Sequence, residues 1–358
     1  MGKLFILPLQ LLCLLLWAEC GMASTAEIVA SILDLTEKEF FSADRSVFAP
    51  RESRLLDMDF WGVAVNAPRQ IWTDRHDKLP LIMATRFSGE RGWEVRLRDN
   101  CILVGTNLQD GSVHFANALV TEKELRSRGG REKVPKGPKP PGLASAAAQL
   151  TELDARGRLH IRWNTGIWSL GVIYYDWSSN TVVVDLKGDE EVKPRLARSV
   201  RPEPNPLGVP ALPCYLPMPQ TPQPPDSGIS FRVEFRVEQG QQKLNVFGAF
   251  AVPVRELHLP QQKVVHQFQD GRKENVAAVV PVTLAVLALD WDLPLRFDWA
   301  VPVYGEELKV GLLARGCFAV DALPELDDKL PNGKYVAYVI IEGEVYGPVM
   351  FEIAQKDE

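Results

Sequence analysis

The familiar signatures of catalysis are missing from this sequence. It has no Gly-x-Ser-x-Gly elbow, no His-Glu-x-x-His pair, no Walker A loop, no Gly-x-Gly-x-x-Gly after a strand and no EF-hand loop. Their absence sets aside the common serine hydrolases, zinc peptidases and nucleotide-binding enzymes. A site assembled from distant residues stays open. Histidine is scarce, with His76, His114, His160, His258 and His266 only. His258 and His266 are close in sequence, but Pro260 interrupts the strand that would align them. No CxxC and no zinc-like Cys/His spacing occur. Positive charge is also lacking: 40 Lys plus Arg face 46 Asp plus Glu, a net charge of −6. A dedicated nucleic-acid binder would carry a basic excess, so no nucleic-acid partner is expected.

What remains is a chain of globular composition, 46% hydrophobic and 24% charged over 358 residues. That length suggests two domains. Lys3 is followed by the apolar run Leu4–Trp17 and then by small residues, the pattern of a secretory signal peptide over residues 1–23. Cleavage after Cys20 or after Ala23 fits the small residues there. The expected location is secreted, periplasmic or at the cell envelope. A second apolar run, Val276–Leu289, is about 14 residues long, short of the roughly 20 that a spanning helix needs. With Pro281 and its many valines it reads as a buried strand or pair of strands, so the mature chain is expected to lack a transmembrane span. Cleavage would leave Cys101, Cys214 and Cys317. An odd number leaves at least one free or intermolecular; a single bridge would tie Cys214 to Cys101 or to Cys317.

Periodicity gives the fold class. Ser24-Thr25-Ala26-Glu27 is a capping box, and the apolar spacing after it predicts one short helix over about residues 25–40. Thereafter the period is two. Trp93–Arg98 and Phe231–Glu238 alternate apolar and charged residues, giving each strand one core face and one wet face. Further strands are expected at Leu81–Arg86, Ile102–Thr106, Val113–Val120, Leu159–Trp163, Ile167–Asp176 and Thr181–Leu186. More follow at Leu244–Val252, Val276–Leu289, Leu295–Val303, Leu308–Leu313, Tyr335–Ile341 and Val345–Ile353. Turn signals such as Asp110-Gly111 and Glu342-Gly343 separate them. The expectation is a mostly β protein of two antiparallel domains, sandwich or immunoglobulin-like.

Two stretches interrupt the pattern. Residues 126–146 carry six Arg or Lys against Glu132 and read as a solvated basic loop rich in Pro and Gly. Pro194–Pro225 holds 11 of the 27 prolines and reads as a semi-rigid spacer. The boundaries that follow are 24–192, a linker over 193–227, and 228–358. The last hairpin, Gly333–Ile353, resembles the closing strands of bacterial immunoglobulin-like sandwiches, which implies a fold and no activity.

Aromatic residues supply the candidate sites. In Ile167–Trp177, one strand face carries Trp168, Leu170, Val172 and Tyr174; the other ends in Tyr175 and Trp177, beside Asp176 and Asn180. If the first face is core, the second is a flat platform of the kind that packs on sugar rings. If both faces are covered, these residues are core. Asp290-Trp291-Asp292 would set two carboxylates on one side of a strand, a pair able to hold Ca²⁺ or act as acid and base. The same residues could simply end an apolar strand. The turn Asp292–Pro294 would bring Trp291 near Trp299. The leading expectation is an exported, non-enzymatic binding or structural module without a cofactor, its partner a glycan or another envelope protein. The alternative is a secreted carbohydrate-active enzyme or its accessory domain.

Overall fold

In the computed structural model the described residues are 61–88, 100–121, 124, 127, 146–162, 166–188, 226–238, 241–255, 258, 265–267, 273–288, 293–304, 309–323 and 330–354. The expected leader, the 25–40 helix, the Trp93–Arg98 strand, most of the basic loop and nearly all of the proline-rich spacer lie outside them. So do Asp290, Trp291, Asp292 and Cys214.

The described chain is mostly β, in several antiparallel sheets consistent with sandwiches. Sheet I has the order β1 (Gly62–Asn66), β3 (Pro80–Ser88), β6 (Ala146–Asp154). Sheet II runs β2 (Gln70–Trp72), β9 (Val182–Lys187), β7 (Gly166–Tyr174), β4 (Cys101–Asn107), β5 (Val113–Asn117), with β8 (Trp177–Ser178) also on β7. Its β2–β9 pair is parallel. Sheet III is β10 (Gly228–Glu238), β11 (Gln241–Pro253), β15 (Leu313–Asp321). Sheet IV joins β13 (Lys273–Ala288), β16 (Gly333–Ile341) and β17 (Glu344–Ile353), with β12 (Val265–Gln267) and β14 (Leu295–Tyr304) also pairing with β13. Leaving β12 aside, strands one, two and five of this half oppose strands four, three, six and seven. That is a seven-strand immunoglobulin-like arrangement with its fourth strand moved to the second sheet.

Each sheet draws its strands from one side of residues 193–227, but the cores do not divide there. Along β16, Val336, Tyr338 and Ile340 enter a core built with sheets I and II, while Tyr335, Ala337, Val339 and Ile341 enter a core built with sheet III. Along β13, Ala285 and Leu287 go to the first core and Leu284, Val286 and Ala288 to the second. The centre of sheet IV, β13 and β16, is therefore covered on both faces, and the sheets stack I, II, IV, III. A strand buried on both faces has no wet positions. This is the physical reason that the sequence here is a continuous apolar run, and its described residues, 276–288, lie in the single strand β13.

Two expected strands differ. Leu159 ends the helix α1 (Ala155–Leu159), and His160 follows in the left-handed region at φ 52°. Leu159 lies over Gly105, where a Cβ would come within 2.5 Å of its Cδ1, and this packing overrides the local β pattern. Residues 309–312 form a turn instead of the start of a Leu308–Leu313 strand. Gly311 sits there at φ 86°, and β15 begins at Leu313.

Candidate functional site: the seam between sheets II and IV

The best-defined polar site lies where sheet IV meets sheet II. Its centre is the two-residue turn between β16 and β17. Glu342 and Gly343 both have positive φ, 51° and 77°, the type I′ geometry whose twist matches antiparallel strands. The turn is inserted against sheet II. The Ser169 hydroxyl donates to the Gly343 carbonyl at 2.7 Å. A Cβ on Gly343 would lie 2.4 Å from Ser169 Cβ and 2.8 Å from Leu108 Cδ2, so no larger residue fits without movement.

Charged groups frame the turn. Arg255 donates through its backbone N–H to Glu342 Oε2 at 2.9 Å, and its guanidinium pairs with Glu344 Oε1. Thr181 Oγ1 of the first half donates to Glu344 Oε2 at 2.7 Å. Burial first, then the neighbouring Glu344, push the Tyr346 phenol up to about 12; Arg255 opposes the shift and Glu342 adds to it. On the far side, the Arg296 guanidinium bonds to the Val113 carbonyl across the seam and to Asp298 Oδ2 at 2.5 Å. Thr283 Oγ1 donates to Asp298 Oδ1.

Between these groups lies a small open cleft of about 270 Å³, with room at its base for about one water molecule. Thr106, Leu108 and Gly111 line it from the first half; His258, Thr283 and Glu342 line it from the second. The Thr106 hydroxyl is fully buried and has no hydrogen-bond partner. Two imidazoles flank Asp110 of the β4–β5 loop. Burial lowers the His258 pKa, with Asp110 opposing. Burial and then Arg296 lower that of His114, again with Asp110 opposing.

The aromatic candidates sit in packing positions. Both faces of β7 are covered, one by sheet I and the other by sheet IV. Tyr175 is 6% exposed at φ 47°. The Tyr338 hydroxyl donates to its carbonyl at 2.7 Å and lies 3.1 Å from that of Trp177. Trp177 is half-buried, edge-on to Phe87 and against Gly62. The open platform expected from Tyr175 and Trp177 is thus corrected: Trp177 pairs across the β7–β8 turn with Tyr174 and packs with it on Phe87 of sheet I, while Tyr175 is buried. Asp176, half-buried, occupies the tip of the β7–β8 turn. Asn180 is a strand cap: its Oδ1 accepts from Val65 N–H at 2.9 Å and its Nδ2 donates to Val65 O at 3.0 Å, closing the free edge of β1. Trp299 is 5% exposed in the sheet III–IV core, stacked on Phe297 and edge-on to Phe318.

No protein-family model matches this chain, and no curated protein matches it. The chemistry must be read from its own residues. Among the described residues no group of three or more His, Cys, Asp or Glu is placed to hold a metal ion. No described helix is long and apolar enough to cross a membrane. Cys101 is a free, buried thiol whose Sγ lies 3.7 Å from Met83 Sδ, and burial pushes its pKa up. That removes the Cys101–Cys214 alternative. Cys317 is disulfide-bonded, and its partner lies outside the described residues. The seam residues Thr106, His114, His258 and Glu342 carry no local motif. Only the Asp110-Gly111 and Glu342-Gly343 turn signals pointed to their neighbourhood, since their convergence depends on two sheets distant in sequence.

Proposed function

We propose that this chain is an exported, non-enzymatic binding or structural module acting at the cell envelope or outside the cell. The observation that carries the reading is the shared core: sheet IV is gripped by sheet II on one face and sheet III on the other, which makes the two halves one stiff unit. The large aromatics that a glycan platform would expose are engaged in packing: Tyr175 and Trp299 are buried, and Trp177 lies against Phe87 and Gly62 of sheet I. The cleft at the seam is sized for a water molecule and not for a sugar ring. Recognition would then fall to strand edges or to residues 126–146 and 193–227, with a glycan or another envelope protein as partner.

The test is to incubate the chain from about Ser24 onward with neutral and acidic polysaccharides, with and without Ca²⁺. Tryptophan fluorescence and release of reducing ends are followed together. The expected result is no reducing-end release. Saturable release that disappears in Asp290→Asn or Asp292→Asn would overturn the reading in favour of a carbohydrate-active enzyme.

A further inference from the structure

We propose that the seam is an acid-sensitive joint: protonation of His114 and His258 loosens the docking of sheet IV on sheet II while sheet III keeps its packing. Both imidazoles stand at the contact between the halves. His258 comes from the second half and faces Gly111 and Asp110 of the first. A Cβ on Gly111 would lie 3.9 Å from His258 Cε1. The backbone carbonyl of His258 accepts from Val279 N–H at 2.8 Å, so the residue is fixed to β13. His114 comes from the first half and faces Arg296 of the second, with its ring tilted over Trp168 at 5.5 Å.

The carboxylates that could receive an imidazolium are already engaged. Asp110 accepts from Ser112 N–H and from Asn107 Nδ2. Asp298 is held by Thr283 and Arg296. Glu342 accepts from Arg255 N–H, and Glu344 is shared between Arg255 and Thr181. Charging His114 also places a second cation beside Arg296, whose guanidinium bonds across the seam to Val113. Hydration of both imidazoles is recovered by opening the seam, and burial lowers both pKa values in line with that cost. The pH direction follows: the closed form favours neutral imidazole, so docking is full above the unperturbed 6.5 and weakens as pH falls below it.

The experiment is hydrogen exchange on the full chain at pH 7.5 and 5.2, corrected for intrinsic rates, with a parallel proton NMR titration of the histidines. Peptides covering 105–117, 276–284 and 338–346 should lose protection at pH 5.2, by at most about 20-fold per imidazole. Peptides covering 244–252 of sheet III should not change. A His114→Gln/His258→Gln double variant should abolish the difference. Equal seam protection at both pH values, loss in step across sheet III, or a drop that persists in the double variant would overturn the proposal. Should the variant fail to fold, the wild-type NMR titration decides. Two imidazoles titrating below 6.5 together with seam exchange support the joint; two titrating at 6.5 or above refute it.

Discussion

Replacing Gly343 by alanine probes the docking of the turn most directly. Two costs arise at this position. The residue sits at φ 77°, where an L side chain costs roughly 1–2 kcal/mol. The added methyl would also lie 2.4 Å from Ser169 Cβ and 2.8 Å from Ser169 Oγ, so it must displace the buried Ser169–Gly343 hydrogen bond. Overpacking of this kind costs about 1–3 kcal/mol, and an orphaned buried hydroxyl and carbonyl about as much again. The expected destabilisation is about 3–8 kcal/mol. Gly311 supplies the control. It sits at φ 86° with nothing within 4 Å of a Cβ, so Gly311→Ala isolates the backbone cost of about 1–2 kcal/mol. Urea unfolding of both variants, followed by tryptophan fluorescence, gives the comparison. If Gly343→Ala costs no more than Gly311→Ala, the turn is not tightly docked and the account of the seam is refuted.

Asn180→Ala should cost about 2–4 kcal/mol in thermal or urea unfolding, because it strips both side-chain bonds from the buried Val65 backbone. Unchanged stability, with the Val65 amide still protected from exchange, would show that the cap is dispensable. The Tyr346 phenol, raised from 10 to about 12, favours the folded neutral form. Its stabilising contribution is complete below pH 10 and lost as pH rises toward 12, so Tyr346→Phe should flatten the alkaline fall in stability over that interval. An identical alkaline fall in both proteins would count against the assignment. Non-reducing peptide mapping should find Cys317 joined to Cys214, the one remaining partner once a leader containing Cys13 and Cys20 is removed. Cys101 should resist alkylation until the protein is unfolded. Rapid native alkylation of Cys101 would contradict its burial.

Local pattern carried much of the architecture. β10 was legible from Phe231–Glu238 because its outer face bears Arg232, Glu234 and Arg236, which pair with one another in water. The β16–β17 hairpin was legible from Glu342-Gly343 because a type I′ turn demands such residues. β1 and β6 escaped notice. Gly62–Asn66 is buried at every position and offers no alternation, and Ala146–Asp154 is an alanine-led run beside a basic loop. The candidate site was legible only in part. Period-two reading placed Tyr175 and Trp177 on one face, but the β7–β8 turn pairs Trp177 with Tyr174 and both rings pack on Phe87, more than 80 residues earlier, while the Tyr175 carbonyl is capped by the Tyr338 hydroxyl. Sequence periodicity marks which side chains share a side; it does not say which distant sheet will lie against them. The same limit hid His114 and His258, which meet around Asp110 only after the halves dock.

The double burial of sheet IV bears on how this protein can be cut. Immunoglobulin-like sandwiches are commonly portable units that tolerate excision and tandem repetition. Here the strands from β10 onward would leave Ala285, Leu287, Val336, Tyr338 and Ile340 facing water if released from the first half. Such a fragment would carry a sticky apolar surface and would be driven to self-associate. The first half, cut off in turn, would lose the cover over Ser169, Ile173 and Tyr175. Cutting between the halves would thus open a core that both of them build, so neither half is a self-contained unit.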